Sequence, residues 1–126
     1  MNGIRTRPVV AGLHGAVASA HPLASQVGLD LLRDGGNAVD AIVAMAATRN
    51  VVEPYMSGIG GVGFLLLHLA GGETKTLNFS GNTPAAGTPD QFTPESQDVG
   101  PCASLIPGNV AAWFEALRQG VRPFFL

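Results

Sequence analysis

Three glycines at Gly58, Gly60 and Gly63 spell G-x-G-x-x-G in the middle of the chain. That pattern holds a dinucleotide when a strand precedes it and a helix follows, so that the pyrophosphate meets a helix N-terminus. Here an apolar helical run comes first and a strand run follows, so the glycines are read as permitting a tight turn and close packing of layers. Lys75 is the sole lysine, which leaves no Walker sequence. His14, His21 and His68 are too scattered for a metal-ligand signature, and His68, inside an apolar run, fits a core or sheet-face role. Ser19 and Ser57, with several Asp, leave a Ser-His-Asp triad open, but no G-x-S-x-G elbow supports one. Asp30, Asp40 and Glu53 are not spaced as an acid/base pair. Cys102, the single cysteine, forms no internal disulfide and builds no zinc site alone; a buried or incidental thiol is preferred over a nucleophile.

The elements that would carry these residues are organised around residues 35–69. Asn37 can cap a helix whose third position, Asp40, favours the positive end of the dipole. Residues 38–48 are Ala, Val, Ile and Met nearly all round, which predicts a helix covered on more than one side. Glu53-Pro54 ends it. The continuous apolar run at 64–69, bounded by glycines, predicts a strand packed on both faces. Ahead of this body, residues 8–20 fit a strand or two short strands with a turn near Gly12 and Gly15. Pro22 then opens a first helix with Leu23, Val27 and Leu31 in a stripe joined by Ala24 and Leu32, stopped by Gly35 and Gly36. After the central strand, residues 70–73 make a hairpin connection to a return strand at 74–79. The turn-rich stretch 80–101 reads as an ordered loop that buries Phe92 and the Ala85-Ala86 pair. A third helix is expected over 107–119, with Val110, Phe114 and Leu117 on one face and Gly120 as its stop. The apolar residues at 121–126 look like the start of a further element, and the chain reads as cut short.

The length of 126 residues admits one domain at most, or one piece of a larger one. Against 46% hydrophobic residues only 13% are charged, which implies that some apolar surface expects a partner chain or further sequence. A net charge of −2 makes no electrostatic case for nucleic acid or an anionic membrane, and no apolar stretch approaches a bilayer span. No secretory signal is visible near the N-terminus, so the default expectation is cytoplasmic. A helix and a strand both sheathed by neighbours imply a layered α/β body. From chemistry alone the reading stops there.

A series of motifs in order carries more. These are Ala18-Ser19-Ala20-His21-Pro22-Leu23-Ala24-Ser25, residues 28–32, Gly35-Gly36-Asn37-Ala38-Val39-Asp40-Ala41, Val51-Val52-Glu53-Pro54, residues 57–64, Pro84-Ala85-Ala86, Thr88-Pro89 and Pro107-Gly108-Asn109-Val110-Ala111-Ala112-Trp113. In that order they resemble the early large subunit of the γ-glutamyltranspeptidase family, from about residue 10 to residue 120. The resemblance implies a partial αββα N-terminal nucleophile hydrolase sandwich, α/β (α+β) in class and incomplete in this chain. Residues 1–126 would be the N-terminal fragment of a large subunit. It further implies a self-cleaving precursor and a small subunit led by a threonine that attacks the γ-glutamyl carbonyl with its own α-amino group as base. Glutathione and its conjugates would be the donors, water or amino acids the acceptors. No metal or organic cofactor is implied, and family members are often periplasmic or extracellular.

Two departures follow. Nothing in the chain corresponds to the family's cleavage site or oxyanion-hole glycines; Thr48, Thr83, Thr88 and Thr93 lie in unrelated contexts, so no catalytic residue is carried over and the chain alone is expected to be inactive. The family's carboxylate-binding arginine, in a Gly-Arg-Glu-Thr-Ala-Pro segment, has no counterpart: ungapped alignment from Pro84 places Ser80 there, a gap places Asn82, and no arginine occurs between Arg49 and Arg118. Ser80 and Asn82 are therefore the candidate substrate-binding residues, with turn chemistry in a Gly/Pro loop as the equal alternative. Losing the guanidinium removes a bidentate charged partner, which opens the reading of a cephalosporin-acylase-like member with another acyl specificity. Outside catalysis, the alternatives are a truncated remnant and a small ligand-binding module using the glycine loop.

Overall fold

The computed structural model describes residues 9–119. Helix α1 spans Pro22–Arg33 and α2 spans Ala38–Val52. A hairpin of β1 (Phe64–His68) and β2 (Thr74–Asn78) follows, then a short α3 (Pro94–Asp98) between two 3-10 turns, then α4 (Asn109–Gln119). The stop of α4 expected at Gly120 and the apolar run at 121–126 lie outside the described residues. The arrangement is mixed helix and strand, with α2 in contact with both α1 and α4 and α4 in turn touching β2.

Each end of the helical pair is closed by local chemistry. His21 caps α1 with an extended backbone, its Nδ1 accepting from the Leu23 amide at 3.2 Å, and Pro22 takes the first turn. At the far end the Gly36 amide donates to the Leu31 carbonyl at 2.9 Å and the Gly35 amide to Leu32 at 3.3 Å, the Schellman pattern, with Gly35 at φ +93°. Asn37 and Asp40 form a reciprocal capping box: Asn37 Oδ1 accepts from the Val39 and Asp40 amides, and the Asn37 amide donates to Asp40 Oδ2 at 2.8 Å. Glu53 caps the end of α2, just before Pro54.

The core is small and made of small residues. Ala24, Val39, Ala41, Met45, Ala112 and Ala116 are buried. Gly28 lies so close to Met45 that a β-carbon there would stand 2.4 Å from its sulfur, so α1 and α2 approach along the line Ala24–Gly28. The stripe expected from Leu23, Val27 and Leu31 flanks that line; Leu23 itself is exposed. The same correction applies to α4, where Ala112 and Ala116 are buried while Val110 and Phe114 face outward. Close backbone approach selects alanine and glycine at the contact and pushes bulkier neighbours to its margin. The helix predicted to be covered on more than one side over 38–48 leaves Ile42 exposed among the described residues.

In the hairpin Leu65 pairs with Leu77 and Leu67 with Lys75 on the half-buried face. Phe64, Leu66 and His68 stand on the other face, Phe64 and Leu66 about 70% exposed. The expectation of a strand packed on both faces is thus corrected: among the described residues only one face of β1 has a layer against it. Residues 9–20 form no strand, since no described backbone pairs with them, and Val9, Val10 and Leu13 are exposed. Residues 80–106 hold more structure than a loop. Thr93 caps α3, and Phe92 is half-buried, but Ala85 and Ala86 are exposed.

Candidate functional site

The glycine segment meets the start of α4 through its carbonyls. Gly58 oxygen accepts from the Gly61 amide and from Asn109 Nδ2, both at 2.9 Å. Gly61 oxygen accepts from the amides of Gly108 at 3.1 Å and Asn109 at 3.0 Å. The Gly108 and Asn109 amides and the Asn109 carboxamide are therefore already bonded to protein oxygens, and the loop turns acceptors towards them. That is the opposite of a phosphate cradle. The packing reading of these glycines holds where contact demands it. A β-carbon on Gly61 would lie 2.9 Å from Gly58 oxygen and one on Gly63 3.1 Å from the Phe79 ring, whereas Gly58 and Gly60 have open space.

The other polar candidates are satisfied locally. Ser19 Oγ donates to the His21 carbonyl at 2.8 Å and shares a hydrogen bond with Ser25 Oγ, so its partner in His21 is the backbone and not the ring. Ser57 Oγ donates to Asn50 Oδ1, whose Nδ2 is buried with no partner among the described residues. His68 is a sheet-face residue, its Nδ1 2.8 Å from Thr74 Oγ1 across the hairpin. His14 and Cys102 are exposed. Among the described residues no serine is hydrogen-bonded to a histidine ring, and no three His, Cys, Asp or Glu side chains converge as a metal site. No helix of the described residues is long and apolar enough to cross a membrane.

Ser80 and Asn82 sit on the turn leaving β2 and are not brought together on one face. Ser80 folds back, its amide and Oγ both donating to Asn78 Oδ1 at 3.0 and 2.8 Å. Gly81 takes φ +77° with its Cα packed on Ile106, a turn that a side chain would strain and crowd. Asn82 is exposed and lines a cavity of about 330 Å³ with Phe79, Ile106, Pro107, Gly108 and Glu115. The Glu115 carboxyl is held down at about 2 by hydrogen bonds from Arg118 and Gln119. Arg118 grips it through two nitrogens, Nε at 2.8 Å and Nη2 at 2.6 Å, so the guanidinium nearest the cavity is engaged.

The same holds across the described chain. Arg33 pairs with Asp30 at 3.2 Å, Arg49 with the buried Glu53 at 2.7 Å and Lys75 with Glu73 at 3.5 Å. Every described lysine and arginine thus has an acidic partner. Sequence reasoning missed the Arg49–Glu53 pair, whose i,i+4 spacing was legible, and missed Asn109, whose partners lie about fifty residues away.

The chain is similar to known proteins over most of its length. The family profile described as Gamma-glutamyltranspeptidase matches residues 24–121. The glutathione hydrolase proenzyme of Bacillus subtilis (strain 168) is 40% identical over 118 residues, covering 91% of this chain and 20% of the relative. The oxamate amidohydrolase proenzyme of Klebsiella pneumoniae is 40% identical over 108 residues, covering 83% and 20%. The crystal structure of Helicobacter pylori γ-glutamyltranspeptidase superposes with a TM-score of 0.82 at 37% identity, over 89% of this chain and 34% of that one. The chain spans about a fifth of the length of the curated relatives it matches.

Proposed function

This chain belongs to the γ-glutamyltranspeptidase family, with the fold of part of an N-terminal nucleophile hydrolase domain, and on that premise we propose that residues 1–126 are the N-terminal part of its large subunit. In the parent protein a γ-glutamyl group passes from a glutathione-type donor to water or an amino acid. The observation that carries this reading is the family match across residues 24–121.

The nucleophile comes from a small subunit outside these residues. Its N-terminal threonine hydroxyl attacks the γ-carbonyl, its α-amino group takes the proton and passes it to the departing amine as the γ-amide C–N bond breaks, and the acyl-enzyme is resolved by water or an amine. The exposed apolar side chains of Phe64 and Leu66 on one strand face, and of Phe114 on α4, support such a partner. This chain contributes the frame and the 80–82 turn, which we assign to the acyl end of the substrate, with Asn82 as its polar group lining the cavity.

A second reading is a related acylase that takes a different acyl group. It is favoured by the pairing of every described cation, so that among the described residues no guanidinium or ammonium is without an acidic partner. A carboxamide still donates hydrogen bonds to a carboxylate, but without the opposite charge and the bidentate fork of a guanidinium. The test is release of p-nitroaniline from γ-glutamyl-p-nitroanilide by this chain and by the polypeptide carried to the end of its reading frame. Turnover in the longer protein only is expected. A self-cleaved protein that is inert on this substrate moves the assignment to the second reading, and turnover by the 126-residue chain refutes the missing nucleophile. Under the first reading Asn82→Arg lowers KM; an unchanged or higher KM removes Asn82 from the acyl site.

A further inference from the structure

Three segments far apart in sequence meet at the start of α4. Asn109 binds the glycine loop twice, through Nδ2 to Gly58 oxygen at 2.9 Å and through its amide to Gly61 oxygen at 3.0 Å. Gly108, beside it, adds a bond to the same Gly61 oxygen and packs its Cα directly on the Phe79 carbonyl, where a β-carbon would come within 2.4 Å. The Phe79 amide in turn donates to Gly63 oxygen at 3.0 Å, and its ring lies on Gly63. On the far side of the turn, Gly81 rests on Ile106. The turn at 79–82 is therefore clasped between segments 61–63 and 106–108; the amides of Gly108 and Asn109 join those two at Gly61 oxygen, and the Asn109 side chain secures the glycine loop just ahead of them at Gly58.

We propose that Asn109 is the positioning residue of the 80–82 turn. It does not line the cavity beside Asn82, so it acts through Gly108 and Phe79 and not by touching a ligand. The residue type is dictated by the acceptors. A carboxamide at the first position of a helix offers an N–H to Gly58 oxygen while its own backbone amide serves Gly61. A carboxylate there has no proton to give and sets negative charge against a carbonyl oxygen. The bond also fastens α4 at its N-terminus, where backbone groups lack intrahelical partners. The inference rests on the assignment of the 80–82 turn to the acyl end of the substrate only for its kinetic arm; the clasp itself stands on the hydrogen bonds.

Two measurements separate these. Amide hydrogen exchange on the 126-residue chain is compared for wild type, Asn109→Asp and Asn109→Gln. Asn109→Asp should speed exchange at Phe79 and Gly108 by about tenfold, the loss of one hydrogen bond, with α1 and α2 unchanged. Asn109→Gln, which keeps the carboxamide, should recover part of the protection. Unchanged exchange at Phe79 and Gly108 in Asn109→Asp overturns the clasp, and uniform acceleration across all helices overturns it too, by making Asn109 a general stability residue. In the extended, self-cleaved protein, Asn109→Asp should raise KM for γ-glutamyl-p-nitroanilide by about tenfold while kcat stays within about twofold. An unmoved KM in an otherwise active enzyme overturns the positioning role. If wild type shows no turnover of this substrate, it is the γ-glutamyl reading that falls, and the exchange result still decides the clasp.

Discussion

Gly28→Ala sets two opposed effects against each other at one site. Gly28 is buried in the interior of α1, so alanine there gains roughly 1 kcal/mol of helix propensity. The new methyl meets Met45 Sδ at 2.4 Å and Cγ at 2.6 Å, with Val17 Cγ1 at 3.4 Å behind it. Met45 is itself 3% exposed, so its side chain cannot swing into solvent; overpacking of this kind costs about 1–3 kcal/mol. The clash wins, and a net loss between near zero and about 2 kcal/mol is expected from urea unfolding followed by far-UV circular dichroism. In a Met45→Ala background the obstructing atoms are gone, and Gly28→Ala should then stabilise by about 1 kcal/mol, a coupling of roughly 1–3 kcal/mol. Gly35→Ala is the control. It has nothing within 4 Å but sits at φ +93°, so it should cost about 1–2 kcal/mol whatever stands at position 45. If Gly28→Ala stabilises wild type by the full propensity gain and the two sites add within about 0.3 kcal/mol, the close α1–α2 contact is refuted.

Two further expectations concern caps and charge. Asn37→Ala removes the acceptor for the Val39 and Asp40 amides and should destabilise the chain by about 1–2 kcal/mol, read as a lower urea midpoint with an unchanged slope; an unchanged midpoint would remove the capping box from α2's stability. Glu115 has its carboxyl lowered to about 2 by Arg118 and Gln119, so its contribution to stability is fully present above the ordinary value of 4.5 and fades as pH falls from there towards 2. Carbon-detected NMR titration of Glu115 should give a midpoint near 2, and Arg118→Ala should return it towards 4.5; a wild-type midpoint at 4.5 would dissolve the Arg118 grip.

What could be read from the sequence followed the range of the signal. Caps and stops are local, and Asn37, Asp40, Pro22 and the Gly35-Gly36 pair gave the bounds of both long helices. His21 was overlooked as a cap because its imidazole is not among the usual capping groups, although its Nδ1 does the same work. Packing was legible only by size, and size misled. The large residues Leu23 and Phe114 lead the expected stripes yet are exposed; Ala24, which the α1 stripe includes, is buried, while Gly28, Ala112 and Ala116 carry no size signal. The glycine pattern was assigned to packing from element order alone, but no local rule joins Gly58 to Asn109. At the 80–82 turn, the serine that aligned with a binding position is held by Asn78, two residues away, and the asparagine that aligned less directly is the one lining the cavity.

The hairpin has a consequence for handling. From residue 54 to residue 72 there is no Asp, Glu, Lys or Arg, and β1 presents Phe64 and Leu66 outward within that stretch. Short uncharged segments of high strand propensity recruit like segments edge to edge unless a charge or proline interrupts them. The nearest charges after it are Glu73, at the end of the hairpin turn, and Lys75, on the neighbouring strand, which pair with each other. For the 126-residue chain in solution, this uncharged strand face is where like chains would meet, and Leu66→Lys would place a charge in the middle of it.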